Sequence, residues 1–359
     1  MVGQVVFHIG DSKTGSTSIQ RTLALGAATS AEVSLLYPLL RTHAHHAVAL
    51  SLYDPAHMAE RARHWRWVAE RLAGSDADVA VISAELFENV APATLAEAIA
   101  EFLPEHLATA RFVAYVRPHA ERVLSAWTQQ VKTGTTLRDL EGFHRHSSRR
   151  GRFLYAPRFE AWRAAFGARF VLRPMIRAEL AGGDVVRDFC EVVFAGAPFE
   201  LTLPPPANEA LCLEDLALLN ALQQRLRERL GQDMLRKALG GRLAQLLQAA
   251  PPRSRQTRPQ LHRSLAIEIA ETYGADAAAL DASFFAGQAP AGPMTRALEA
   301  AIARALPEPL PFDPSRLLTP AEARLARCLE ALVVEMVAER PEGVRQLLRA
   351  RKIDALMGV

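Results

Sequence analysis

The chain has 359 residues, which at about 150 residues per domain is one large domain or two ordinary ones and excludes a small scaffold stapled by disulfides or metal. Apolar residues make up 50% and charged ones 23%, with 20 Gly and 22 Pro, close to average usage, which excludes global disorder and fibrous repeats. A net charge of +3 is too mild for wholesale nucleic-acid binding but leaves room for a local anion pocket. Cys190, Cys212 and Cys328 are odd in number and widely spaced, which suggests neither a disulfide framework nor a zinc site and leads us to expect a reducing, cytoplasmic setting. The opening MVGQVVFHIG has no basic stretch and is interrupted by His8, unlike a signal peptide. No uncharged stretch approaches the ~18 apolar residues that cross a bilayer, so we expect a soluble protein without a membrane span.

In chain order, Gln4 to Ile9 (QVVFHI) is a β-branched run closed by Gly10, and Thr17 to Leu25 follows with Ile19 and Leu23 on one helical face. Strand, loop and helix are thus predicted in succession. Asp78 to Ser83 (DVAVIS) and Arg111 to Val116 (RFVAYV) read as buried strands, separated by a helical stretch from Leu95 to Leu103. Phe170 to Leu172 reads as a fourth strand after an aromatic-rich helix over Phe159 to Phe166. Buried strands alternating with helices predict a parallel sheet covered on both faces. Past Pro204-Pro205-Pro206 the chain becomes Ala/Leu/Arg-rich, with helical periods over Glu214 to Leu230, Met234 to Gln248, Leu261 to Tyr273 and Pro293 to Leu306. Thr319, Pro320 and Glu322 announce a final helix with a capping box, and residues 250 to 260 read as an exposed basic linker. The predicted class is α/β, a P-loop-like three-layer α/β/α core with a central parallel sheet over 1–205, followed by an all-α region over 206–359. The boundary is placed near 204 to 208.

The chemistry concentrates in HIGDSKTGSTSIQ, His8 to Gln20, between the first strand and the first helix. A glycine-flanked loop there wraps backbone N–H groups around a phosphate, and the helix N-terminus adds partial positive charge. Thr14, Gly15, Ser16, Thr17 and Ser18 offer amides and hydroxyls, and Lys13 a full charge. As a Walker A motif the loop fails, because Ser16 follows Gly15 where a lysine is required. Ser83-Ala84 at the next strand end supplies no Walker-B aspartate either. A metal-free anion-transfer site fits these residues better than Mg-dependent hydrolysis.

With its lysine ahead of a Thr-Gly-Ser-Thr run, the loop resembles the 5′-phosphosulfate-binding loop of sulfotransferases that use 3′-phosphoadenosine-5′-phosphosulfate (PAPS). A second segment, VRPHAERVLSAW, places Arg117 at a strand end and Ser125 eight residues later. In that family an arginine and a serine so spaced grip the nucleotide 3′-phosphate. The resemblance continues through Arg149 to Phe170 and covers about residues 4 to 190. It implies a PAPS-binding core over 1–205 and a sulfotransferase that releases adenosine 3′,5′-bisphosphate (PAP), with no metal required. The transfer implied is in-line displacement at sulfur, with Lys13 and the loop amides stabilising charge on the leaving oxygen.

Such a transfer needs a base for the acceptor hydroxyl. Glu85 is the first choice, at the carboxyl end of a predicted strand, where open α/β sheets bind ligands; members of the superfamily present a catalytic His or Glu there. Small-molecule sulfotransferases of the cytosol carry Lys-Thr-His at that point, whereas this chain has Ser83-Ala84-Glu85, which favours a carbohydrate or glycoconjugate acceptor over a small phenol. His43, His45 and His46 cluster in RTHAHHAVAL, and His46 is a second candidate, as base or acceptor contact. Of the basic run His144 to Arg152, Arg149, Arg150 and Arg152 are candidates to cover the 3′-phosphate or an anionic acceptor, with Arg150 the chosen representative. Plainer readings stand beside these: Glu85 as a helix cap, the histidines as packing residues, the basic run as a solvated loop, and Tyr155, Phe159 and Trp162 as core. A P-loop-like kinase or nucleotide hydrolase, and a catalytically degenerate nucleotide-binding module, are the rival functions.

Overall fold

The computed structural model describes residues 1–39, 42–203, 211–230, 233–253, 256–286 and 292–348. The boundary expected near 204–208 lies outside the described residues. The chain divides into two compact units, the first drawn from Met1–Pro118, Leu154–Ala207 and Ala275–Arg296, the second from His119–Phe153, Asn208–Gly274 and Ala297–Val359.

The first unit carries the strands β1 (Gln4–His8), β2 (Ala28–Thr29), β3 (Leu35–Leu36), β4 (Val79–Ser83), β5 (Arg111–Val116), β6 (Phe170–Pro174) and β7 (Glu200–Leu201). Its helices alternate with them, numbered along the whole chain: α1 (Ser16–Ala24), α2 (His46–Leu50), α3 (Arg61–Ala73) and α4 (Pro92–Phe102). After α5 (His119–Lys132) and α6 (Leu140–Ser148), which belong to the second unit, come α7 (Ala156–Phe166) and α8 (Val185–Val193). Among the described residues five strands form one sheet in the order β3-β4-β1-β5-β6, with every pairing parallel. The unit is a three-layer α/β/α structure with a central parallel sheet, as the sequence predicts. The two-residue strands escaped the sequence reading because they are too short to show alternation; β2 and β7 pair antiparallel as a separate ribbon.

Alternation along each strand sorts the core into two layers. Val6, Val79, Val81, Val113 and Tyr115 face Ile19 and Leu23 of α1 and Val186, Phe189 and Val193 of α8 in one cluster. On the opposite face Phe7 stacks on Phe112 (5.5 Å between centroids) and on Trp65 of α3 (6.3 Å). Phe112 stacks in turn on Phe166 of α7 at 3.8 Å. Tyr155, Phe159 and Trp162 are buried, so their shared face is core packing.

β1 lies between β4 and β5, and the chain crosses over it after β4. The carboxyl end of β1 is therefore a topological switch point, where such sheets bind ligands.

The second unit contains α9 (Leu213–Leu230), α10 (Asp233–Ala249), α11 (Arg263–Phe284) up to Gly274, α12 (Pro293–Arg304) from Ala297, α13 (Pro314–Leu317) and α14 (Pro320–Glu339). The capping box is present: Glu322 N–H donates to Thr319 Oγ1 (3.3 Å) and Thr319 N–H to Glu322 Oε2 (2.8 Å). α11 outruns its expected end at Tyr273, because the Ala-rich stretch after Gly274 sustains the helix against the ~1 kcal/mol that glycine costs. In the stretch read as a linker, Arg253 is held by Asp215 (2.7 Å) and by Glu322, so this arginine is structural rather than solvated. No helix among the described residues is long and apolar enough to cross a membrane.

Candidate anion-binding site

Where β1 ends, hydrogen bonds to β5 continue into the loop. Ile9 N–H donates to Val113 O (2.9 Å), Tyr115 N–H to Gly10 O (2.8 Å) and Asp11 N–H to Tyr115 O (3.0 Å). Gly10 has φ +103°, and a Cβ there would lie 3.0 Å from Glu85 O. Gly15, at φ +82°, passes so close to α8 that a Cβ would meet Val185 Cγ1 at 2.6 Å. Lys13 is also left-handed, at φ +68°. These turns fold the loop so that Thr14 Oγ1 and Ser16 Oγ both donate to the Asp11 carbonyl oxygen. Those two hydroxyls are buried and shape the loop, whereas Thr17 and Ser18 are exposed.

The helix behind the loop starts at Ser16 with Gly15 as a cap that has no side-chain acceptor, and Ser18 and Ile19 return their N–H groups to Gly15 O. Among the described residues the backbone N–H groups of Thr14, Gly15, Ser16 and Thr17 donate to no protein acceptor. Amides left over at a helix N-terminus are suited to holding an anion. Arg117, at the carboxyl end of β5, reaches the same loop and donates from Nη1 to Lys13 O (3.0 Å). Ser125 on α5 and Arg150 after α6 belong to the second unit; Ser125 is half-buried and Arg150 exposed.

The two candidate bases meet. Glu85 opens a 3-10 turn (Glu85–Asn89) two residues beyond the end of β4. Its Oε2 accepts from Gln20 Nε2 (3.0 Å), and its Oε1 lies 3.6 Å from His46 Nε2. Gln20 also donates to Ser83 Oγ (3.2 Å), so α1 and β4 share in orienting the carboxylate. The histidine cluster divides by role. His45 is buried, its Nε2 donating to Pro38 O (2.6 Å) and its Nδ1 accepting from Ser83 N–H (3.0 Å). Burial holds it at a pKa of about 4, which makes it a neutral structural pin. His43 is half-buried, and burial lowers its pKa, helped by the charges of His46 and Arg21; its carbonyl accepts from the Tyr37 hydroxyl (2.6 Å). His8, which the sequence reading passed over, is buried against Phe189 with Nδ1 2.8 Å from Ser83 Oγ. Burial lowers its pKa to about 4 against the opposing field of Glu85.

Sequence reasoning also missed a polar cluster beneath the loop. Asp11 is buried and gripped bidentately by Arg158 of α7, at 3.0 Å (Nη1–Oδ1) and 2.8 Å (Nη2–Oδ2). The guanidinium lies 4.4 Å from the Phe159 ring centroid, a cation–π contact that helps fix it. Glu88 accepts from Ser12 N–H (3.0 Å) and Ser12 Oγ (2.7 Å). Burial, then the neighbouring Asp11 carboxyl, pushes the Glu88 pKa up to about 7. Only the position of Asp11 inside the loop could have signalled this cluster, since Arg158 is 147 residues away.

No family model matches the chain, and no curated protein matches it in sequence. Among solved structures it is similar to a sulfotransferase from Alicyclobacillus acidocaldarius, over 67% of this chain and 96% of that one, at 15% identity and a TM-score of 0.39. A likeness so slight carries no functional weight.

Proposed function

We propose that this protein is a sulfotransferase that moves the sulfuryl group of PAPS to an acceptor hydroxyl, with a carbohydrate or glycoconjugate as acceptor. The observation that carries the reading is the loop itself: four unused amides and Lys13 at a helix N-terminus, Arg117 bonded to the same loop, and Glu85 across the end of β1. In this reading the amides of Thr14 to Thr17 and the hydroxyls of Thr17 and Ser18 hold the 5′-phosphate. Arg117, Ser125 and Arg150 take the 3′-phosphate, the last two on the strength of the sequence resemblance. A guanidinium forks onto phosphate oxygens, which a lysine does not.

In the transfer, the acceptor oxygen forms a bond to sulfur while the bond from sulfur to the phosphate oxygen breaks. The acceptor proton passes to Glu85, and the electron pair of the broken bond stays on the phosphate of PAP, where Lys13 neutralises it. Gln20 and His46 flank the Glu85 carboxylate, and in this reading His46 shares the proton or contacts the acceptor.

Calorimetry of PAP, ATP and ADP, without metal and then with Mg²⁺, tests the donor, and transfer of labelled sulfate from PAPS tests the chemistry. We expect metal-independent PAP binding that is lost in Lys13→Ala and Arg117→Ala. Glu85→Gln is expected to keep PAP binding and lose turnover by about 10²–10⁴-fold. Preference for ATP with Mg²⁺ would turn the reading to a kinase or nucleotide hydrolase. PAP binding with no transfer, unaffected by Glu85→Gln, would leave a nucleotide-binding module.

A further inference from the structure

Glu88 and Arg158 touch the loop at its first two polar residues, Asp11 and Ser12. Ser12 spends both its N–H and its hydroxyl on Glu88, at 3.0 and 2.7 Å. Arg158 grips both carboxylate oxygens of Asp11 and donates to Glu88 O at 3.4 Å, and the Asp11 and Glu88 side chains are themselves hydrogen-bonded. The first half of the loop is therefore tied to the turn after β4 and to α7. The second half, Thr14 to Thr17, is left to bind, and the Thr14 and Ser16 hydroxyls on Asp11 O join the two halves.

We propose that Glu88 and Arg158 are positioning residues for the anion loop, acting through Ser12 and Asp11, and that Glu88 takes up a proton when an anion enters, so that anion affinity falls as pH rises. This deepens the reading above and requires only that the loop bind an anion, whichever nucleotide carries it.

The charges give the sign. Facing Glu88 are Asp11 and Ser12 from the loop, Arg158 from α7, and the Tyr53 hydroxyl from the turn after α2. Arg158 faces both carboxyls of the hydrogen-bonded Asp11–Glu88 pair, so ionising Glu88 adds a second negative charge there against one guanidinium. An anion bound by the loop repels that charge and favours the neutral carboxyl. By linkage, the protonated form then binds the anion more tightly. With a resting pKa pushed up to about 7, Glu88 is mostly protonated at pH 6, and binding there needs no proton. At pH 8 it is ionised, and binding must draw a proton from solvent. If the anion raises that pKa by one further unit, affinity drops about tenfold between pH 6 and 9. The same sign holds for any dianion.

Inorganic sulfate is the probe, because it stays dianionic across that range and adds no titration of its own. Its affinity is read from the rise in Tm with sulfate at constant ionic strength, for the full chain from pH 6 to 9. We expect a fall of about tenfold in the wild type and a flat profile in Glu88→Gln, which keeps an acceptor for Ser12. Arg158→Lys keeps the charge but not the fork, and is expected to weaken sulfate at every pH while retaining the slope. Calorimetry of the wild type at pH 8 in buffers of different ionisation heat should count net proton uptake, so the proposal does not depend on a variant folding. It is overturned by an unchanged slope in Glu88→Gln, by no proton uptake in the wild type, or by sulfate that fails to protect. A Glu88-dependent slope together with absent PAP binding would uphold it and remove the nucleotide reading.

Discussion

Gly15 shows how little room the loop has. Its φ of +82° suits glycine, and the close approach of Val185 Cγ1 forbids a side chain there. Gly15→Ala adds both penalties, a left-handed backbone of about 1–2 kcal/mol and a clash with a branched side chain. We expect a stability loss of about 2–3 kcal/mol by denaturant titration, with anion affinity reduced in parallel, because Ser16 and Thr17 amides are aimed by that turn. Lys13 holds a left-handed conformation without being glycine, and its carbonyl is bound by Arg117 (3.0 Å). That bond helps to offset a strain that a solvent-exposed lysine would otherwise relax.

At the scale of the element, α7 is held in a way no local signal announces. It begins without a side-chain cap of its own. Instead Asp276, from α11, accepts Tyr155 N–H (2.9 Å) and Ala156 N–H (3.0 Å). A buried carboxylate at a helix N-terminus both satisfies orphan donors and complements the helix dipole. Arg158 follows two residues later, within the same first turn, so the same cap sets the residue that grips Asp11. Asp276→Ala should cost about 1–3 kcal/mol of stability and also weaken sulfate protection, although Asp276 caps α7 and only its downstream neighbour Arg158 reaches the loop. A stability loss with unchanged sulfate affinity would show that Arg158 is placed by its aromatic neighbours alone.

For the whole molecule, the α/β unit places its chemistry at one sheet edge. β1 supplies the loop, β4 leads to Glu85 and Glu88, and β5 ends at Arg117. A ligand bound there ties three strand ends together, so it should stabilise the folded chain by mass action. At one hundred times its Kd, PAP is expected to add about 2.7 kcal/mol, seen as a rise in Tm that Lys13→Ala abolishes. A Tm unmoved by saturating PAP would count against the donor assignment.

Much of this was legible in the residues. Periodicity located the four long strands within two residues, because a buried parallel strand is a short continuous apolar run that needs no partner to be recognised. The anion loop was legible because its glycines, lysine and hydroxyls are contiguous, and the capping box because its partners lie three residues apart. Other features depend on distant chain. Glu85 with His46 and Gln20, Asp11 with Arg158, Ser12 with Glu88, and Asp276 on α7 join residues far apart in sequence. Their pairing follows from strand order and crossover, which no local pattern encodes. So do the protonation states: a carboxyl with a pKa pushed up to about 7 and two histidines lowered to about 4 are consequences of burial. Residue type by itself determined what chemistry this chain could carry, and tertiary structure decided which groups meet and which of them hold a proton, because desolvation and proximity exist only once the chain has folded.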